Sequence, residues 1–546
     1  MAPVAPQSGG CKAQTAAGLV ARRGFATPQP LFCGATRRAR HPRAALVARL
    51  AQAPAWPAAC AWIAPLGCLA GTMGRPGTGS KYDSRPSKPE FRRLRFLIAC
   101  LLLTCIFSQA QTPPPQQPFQ ASAPLSWELK NARWFDGQKL QRGNLYVENG
   151  VFVAKKPAKV NRKMDLRNQQ VLINPLAEAH NHNLQTAWGW GQYADKYIDD
   201  GVFYAAMLCG DPAGVAPVRP LAAKPAAPDT SFVTACITSP DGYPLAAVLP
   251  EPSAEAAAAQ DQIVLVDSPE QARQQWPTIK ARGGNWLRLV LAHSERPELR
   301  QQPAMFGRLG LRPDTAAELT RLAHADGRHV VAHVETAADF DAALAAGIDV
   351  IAHLPGYANT LDEAPEVFAL SEAAAAQAAR QHAAVITTTA ATALFKLDTT
   401  ALAALREVQR ANLGRLQAAG VQLLIGSDVF IGTARAELHA LDELGLDHAT
   451  LLRLATHDTP RALFPGRKLG CFEPGCEASF LLLGGDPLAD LAQVDMPLLR
   501  VKQGRLLTRL ADVAASSAQV STSTADPPKA KKKSGKARAS AKAKRH

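Results

Sequence analysis

The sequence lacks an apolar run of membrane-spanning length. Its conspicuous apolar stretch, residues 96–107, is twelve residues long, where a bilayer needs about 20. No transmembrane span is expected in the mature chain. Acidic residues are scarce at both ends: residues 1–95 hold 15 Lys/Arg against 2 Asp/Glu, and residues 527–546 hold 9 against none. The whole chain carries a formal net charge of +15, less than its two ends supply, so residues 96–526 are net acidic. A nucleic-acid-binding face on the folded body is therefore not expected. Cysteine is also sparse in the body: six of the ten lie upstream of residue 111, leaving Cys209, Cys236, Cys471 and Cys476. Residues 1–91 lack a sustained apolar period and are rich in Ala, Arg and Pro, which predicts a disordered upstream extension.

One reading of that extension is a mis-assigned start, with translation beginning near Met73 or later. Arg92, Arg93 and Arg95 precede the apolar stretch, and Ser108-Gln109-Ala110 follows it. A basic segment, a short apolar segment and small residues at a cleavage site make residues 92–110 a signal peptide. An uncleaved interfacial anchor is the alternative. Export to a bacterial periplasm, or secretion, is expected. Residues 111–125, rich in Pro and Gln, read as a linker. Residues 508–546 read as a disordered basic tail, a solvated arm able to touch anionic lipid, wall polymer or nucleic acid. Cys471 and Cys476 flank Phe-Glu-Pro-Gly, a turn sequence that a small disulfide can close in an oxidising compartment; free thiols are the other reading. Oligomeric state is not readable from these features.

The body has the composition of a globular protein, with 47% hydrophobic and 20% charged residues over the whole chain. Residues 126–172 alternate in short strand-like segments around Gly and Asn turns. Apolar runs of strand length then recur at 201–208, 232–237, 263–266, 286–291, 329–334, 350–353, 384–388 and 423–425. Ala-rich helical segments separate the later ones, at 315–325, 337–346, 371–381 and 401–419. Strands alternating with helices predict a parallel sheet covered on both faces, and about eight such units suit a (β/α)8 TIM-like barrel better than an open sheet. The expected division is a barrel over 173–465, flanked by a small β domain built from 126–172 and 466–507.

The residues able to carry chemistry share one register. Glu178-Ala-His180-Asn-His182 follows the apolar Val171-Leu-Ile. On a strand, two residues apart face the same side, so His180 and His182 project together from a strand end, and two imidazoles on one side can chelate a divalent metal. His333 ends Val330-Val-Ala-His, with His329 at the other end of the same run, and His353 ends Val350-Ile-Ala-His. Asp428 follows Leu423-Leu-Ile-Gly-Ser. Each has a bland alternative, a satisfied core histidine or a helix-capping aspartate. Together, four histidines and an aspartate fall at the C-terminal ends of predicted barrel strands, where such barrels place their sites.

This order resembles the amidohydrolase superfamily, and most closely its imidazolonepropionase-like and prolidase-like branch. The stretch from Leu469 through Asp486-Pro-Leu is similar to that branch's C-terminal signature, with Ser479 where an Asp is usual. Ala455-Thr456-His-Asp-Thr-Pro460 is similar to the helix before it. The resemblance spans about 126–505. It implies a metal-dependent hydrolase of carbon–nitrogen bonds acting through an activated water. The implied metal ligands are His180, His182, His333 and Asp428, with Asp428 also taking the proton of the water and His353 binding a second metal or polarising the substrate carbonyl. A bound divalent ion lowers the pKa of its water towards ~7.

One departure matters. Many members carry a carbamylated Lys on the fourth strand, bridging two metals, whereas this chain has Arg288 in Asn285-Trp-Leu-Arg288. A guanidinium stays protonated, and its charge opposes a second dication. One metal is expected, zinc by its imidazole and carboxylate donors, with Mn2+, Fe2+ or Ni2+ also suited. Arg288 is instead available to pair with Glu335 or to grip a substrate carboxylate. Trp188, Trp190, Tyr193 and Tyr197 follow the His-x-His and can stack a cyclic or aromatic small-molecule substrate. Asp241-Gly-Tyr243-Pro can form a lid after the third strand. Cyclic amides, N-acyl amino acids and dipeptides are the expected substrates. Deamination, lactone hydrolysis and a non-catalytic ligand-binding descendant are the alternatives.

Overall fold

The computed structural model describes residues 117–249 and 251–509. The expected extension, signal peptide, the first part of the linker and the tail beyond Arg509 lie outside the described residues. Among the described residues no helix is long and apolar enough to cross a membrane.

Both ends of the described chain build one mixed sheet. Its strand order is Phe119–Ala121, Arg505–Arg509, Leu499–Lys502, Phe480–Leu483, Val171–Ile173, Trp127–Phe135, Leu140–Glu148 and Val151–Val153, with Arg162–Asp165 alongside Trp127–Phe135. Trp127, Leu129, Val147, Phe152, Phe472 and Phe480 bury one core, and removing each such side chain from water contributes about 1.5–3 kcal/mol. The Trp127 indole N–H donates to the Gly504 carbonyl at 2.9 Å, joining the two ends of the fold.

Two expectations are corrected here. Phe119–Ala121, inside the expected linker, pairs with Arg505–Arg509 and belongs to the sheet. Val171–Ile173 does not lead directly into the His-x-His: it pairs antiparallel with Phe480–Leu483. A separate strand starts at Leu176, after Pro175, whose missing N–H breaks the run.

The remaining strands are parallel. They are β1 (Leu176–Asn181), β2 (Val202–Met207), β3 (Cys236–Thr238), β4 (Trp286–Val290), β5 (His329–His333), β6 (Val350–Ala352), β7 (Ala384–Ile386) and β8 (Leu423–Leu424). β1 and β2 form one sheet with Asp229–Phe232, which runs on through three residues into β3. Strands β3 to β8 follow in order in a second sheet, with Val264–Leu265 at its edge. Just past β8, Ile425 O accepts the Ala179 N–H at 2.7 Å and the Asp428 N–H donates to His180 O at 2.8 Å, bringing the β8 end against β1.

The strands read as near-continuous apolar runs because both faces are covered. The longer helices are α1 (Ala187–Asp199), α2 (Pro269–Ala281), α3 (Pro313–Ala325), α4 (Ala337–Ala345), α5 (Glu372–Gln381), α6 (Thr399–Ala418) and α7 (Ala434–Glu443). Their starts follow local chemistry. Thr186, Ser268, Ser371 and Asp398 accept first-turn N–H groups, and Thr336 with Asp339 forms a capping box on α4.

Candidate metal centre

The strand register places His180 as the penultimate residue of β1, with His182 just past its end, and Asp428 four residues past β8. His182 Nε2 lies 3.4 Å from Asp428 Oδ1, and His180 Nε2 lies 3.8 Å from it. One donor atom from each of the three residues falls within 4.8 Å of the others. Donors about 2.1 Å from a tetrahedral ion sit about 3.4 Å apart, so two imidazoles and a carboxylate at these separations fit a divalent metal. The His180 side chain is fully buried, whereas 25% of His182 and 22% of Asp428 are exposed. The group therefore opens to solvent on the His182 and Asp428 side.

Several residues that sequence reasoning passed over hold these three. Glu178 is buried beneath them. Its carboxyl accepts from the His180 N–H at 3.2 Å and from the Ser427 N–H at 2.7 Å, and bonds the Ser427 hydroxyl at 2.6 Å. Asn181 donates to Val429 O and Asn183 to the Phe430 and Gly432 carbonyls, so the loops after β1 and β8 are stapled together. Gly426 permits the close approach, since a Cβ there would meet the His180 backbone N at 2.8 Å. His353, Thr388 and Asp428 adopt left-handed backbone, with φ of 83°, 49° and 48°. Such conformations cost about 1 kcal/mol or more in non-glycine residues and cluster at functional sites. The hydrophilic pattern Glu178-Ala-His180-Asn-His182 was the one sequence signal that pointed to Glu178.

His333, expected as a fourth ligand, stands outside the three-residue group. Its Nε2 is 3.0 Å from Glu335 Oε1, and its Nδ1 is 3.2 Å from Arg288 Nη2. Arg288, 3% exposed, also reaches His180 Nε2 at 2.8 Å and His353 Nε2 at 3.4 Å. The expected Arg288–Glu335 pair is likewise replaced, because His333 lies between the two. Nor does Arg288 present itself to a substrate directly, being enclosed by the three imidazoles. His353 Nδ1 is 2.9 Å from Thr388 Oγ1. Tyr357 stacks on His353 with ring centroids 4.1 Å apart and donates its hydroxyl to Glu335 at 3.0 Å. Tyr243, on the loop expected to form a lid, stacks on His333 at 4.8 Å. His329 sits at the opposite, exposed end of β5.

The electrostatics follow from burial beside a fixed cation. Burial, and then the Arg288 charge, hold His180 well below the ordinary histidine range and push His182 down to about 3. Burial, the neighbouring His333 and Arg288 do the same to His353. Burial lowers His333 despite the opposing Glu335 bond. These imidazoles are neutral at physiological pH, the form that ligates metal. Burial raises Asp428 to about 7, opposed by Arg288.

The aromatic candidates divide. Trp190 and Tyr197 are core, and the Tyr197 hydroxyl donates to Asn183 at 2.8 Å. Trp188, 62% exposed, meets Tyr193 edge-on at 6.2 Å, and Tyr193 meets Phe430, 47% exposed, at 5.8 Å. Phe430 lies two residues past Asp428, so this row joins the loop after β8 to the first half of α1, close in sequence to the candidate metal ligands. Both cysteine pairs are bridged, Cys471 to Cys476 and Cys209 to Cys236. The second was not expected from sequence.

Residues 300–507 match the family model of the amidohydrolase family. No curated protein matches the chain. Among solved structures the chain is similar to a Bifidobacterium longum protein assigned as a prolidase, at 18% identity and a TM-score of 0.55, over 73% of this chain and 100% of that one. It is similar to A. niger ochratoxinase at 16% identity and a TM-score of 0.56, over 70% and 96%. It is also similar to a Xaa-Pro dipeptidase with methionine bound in its active site, at 15% identity and a TM-score of 0.53, over 70% and 100%. Likeness at these identities reports a shared fold.

Proposed function

We propose that this chain is a member of the amidohydrolase superfamily, whose family model matches residues 300–507, and that within it the protein is an exported, single-metal hydrolase of amide bonds in small molecules. The observation that carries the reading is the convergence of His180, His182 and Asp428 at the ends of two strands brought side by side. We read β1 to β8 as one (β/α)8 barrel, with this group at its C-terminal mouth. The two disulfides accord with an oxidising compartment, which supports export.

His180, His182 and Asp428 would hold the ion, zinc by the chemistry of the donors, and bound there it would supply Lewis acidity and a water acidic enough to act near neutral pH. The chain's own residues do the rest. Asp428 is the part-exposed carboxylate positioned to take a proton and pass it to a leaving nitrogen. Arg288, behind His353, places positive charge on the barrel side of the site, where an oxyanion develops. Trp188, Tyr193 and Phe430 offer an apolar rim for one side of the substrate. N-acyl amino acids, cyclic amides and dipeptides with a large apolar group fit this division of polar floor and aromatic rim.

The test is metal per chain in the purified protein by elemental analysis, with His182→Ala as control, followed by a screen of these amides for amine release. About one equivalent, lost in the control together with activity, is the expected result. Absence of metal after reconstitution with zinc, manganese or iron would overturn the reading in favour of a non-catalytic binding protein.

A further inference from the structure

A guanidinium carries five N–H donors, accepts no hydrogen bond and stays protonated. Each ring nitrogen that Arg288 touches must therefore present a lone pair to it. His180 Nε2 at 2.8 Å, His333 Nδ1 at 3.2 Å and His353 Nε2 at 3.4 Å are all acceptors. This fixes three tautomers. His333 carries its proton on Nε2, where Glu335 Oε1 receives it at 3.0 Å, and His353 carries its proton on Nδ1, facing Thr388 Oγ1 at 2.9 Å. The third proton, on His180 Nδ1, is buried with no partner, an omission that costs about 1–3 kcal/mol.

The lone pair that His180 gives to Arg288 is the one it would offer an ion shared with Asp428, 3.8 Å from the same Nε2. Arg288 is itself costly to hold. It is 3% exposed, its Nε is buried without a partner, and among the described residues no carboxylate forms an ion pair with it.

We propose that Arg288 is the resident cation of the histidine cage and competes with the metal for His180. Loading the ion requires His180 to exchange its bond to the guanidinium for the metal, and while Arg288 remains, His333 and His353 are withheld as ligands. This rests on the single-metal reading above and adds the residue that sets both the number of ions and their affinity.

The experiment is a zinc titration of the purified protein and of Arg288→Met, which keeps an unbranched apolar stem and removes charge and donors. Calorimetry and elemental analysis supply the readout, and thermal melting confirms folding. The variant is expected to bind its first ion about tenfold tighter or more and to gain a second ion on His333 and His353. Equal number and affinity in the two proteins overturns the proposal and leaves the single-metal reading standing. Zinc bound by neither removes both. Two ions on the unmodified protein also overturns it.

A second measurement needs no variant. Nitrogen–proton correlation spectra of the metal-free protein should show His180 and His353 protonated on Nδ1 and His333 on Nε2. On adding zinc, the nitrogen signal of His180 Nε2 should shift while those of His333 and His353 hold. Any other set of tautomers in the metal-free protein refutes the arginine cage.

Discussion

Asp339 is the residue whose loss should tell most about how the site floor is held. It lies on α4, fully buried, and makes no hydrogen bond to any of the three candidate metal ligands. Its Oδ2 accepts the N–H groups of His293 at 2.9 Å, Thr336 at 3.1 Å and Glu335 at 3.2 Å. Its Oδ1 accepts the N–H and hydroxyl of Ser294 at 2.9 and 2.6 Å. One carboxylate thus ties the loop after β4, the arginine strand, to the loop after β5, which carries Glu335. Truncation by Asp339→Ala strands five donors at once. At about 1 kcal/mol for each bond, the expected loss is about 5 kcal/mol. Asp339→Asn can keep the three-donor oxygen and turn its NH2 towards Ser294. The Ser294 hydroxyl can rotate to accept, leaving one backbone N–H unpaired, so the expected loss is about 1–2 kcal/mol. Urea denaturation of both variants measures this, read at unchanged slope so that stability alone is compared. Metal content should be unaffected in Asp339→Asn. A loss below about 1 kcal/mol in Asp339→Ala, or equal losses in the two variants, would refute the idea that this carboxylate anchors the two loops.

The two disulfides should differ in worth with the length of chain each closes. The Cys209–Cys236 bridge spans 27 residues and the Cys471–Cys476 bridge spans 5, which by loop entropy corresponds to about 3.5 and about 2 kcal/mol. Paired Cys→Ala variants melted beside the parent in non-reducing buffer would check the ranking, and a larger loss from the short bridge would contradict it. Glu178 supplies a pH signature. Burial raises it to about 8 from an ordinary 4.5, so the folded state keeps a proton that the unfolded chain has released between those values. Its contribution to stability is therefore complete below pH ~4.5 and lost as pH rises towards ~8. The melting temperature of metal-free protein should fall across this window, and Glu178→Gln should flatten the dependence. An unchanged slope in that variant would place the titration elsewhere.

What could be read from the sequence was what depends on local pattern. A parallel strand buried on both faces is an apolar run, and a polar residue that ends it stands at the mouth of the fold. This is why His180, His182, His353 and Asp428 were found, each at or just past the end of its strand. The same logic placed His333 at the end of its strand, but not its partners Arg288 and Glu335. Its surroundings depend on a side chain 45 residues away, and the pairing of β4 with β5 that sets Arg288 beside it has no local signal. The departure from lysine at Arg288 could be seen and its charge argued, yet the three imidazoles it joins belong to three other strands. Glu178, Asp339 and Thr388 escaped for a related reason: each acts by accepting or bonding groups on a neighbouring loop, and a buried acid or hydroxyl looks in sequence like any cap. Cys209 and Cys236 meet because Asp229–Phe232, which leads into β3, pairs with β2. The boundary error at Val171–Ile173 has a different origin. Two apolar strands separated by Asn174-Pro175 read as one, although the chain leaves one sheet and enters another there. Pattern thus located the candidate ligands, while the pairing of strand with strand set their partners, so that His180 lies both beside Asp428 and against Arg288.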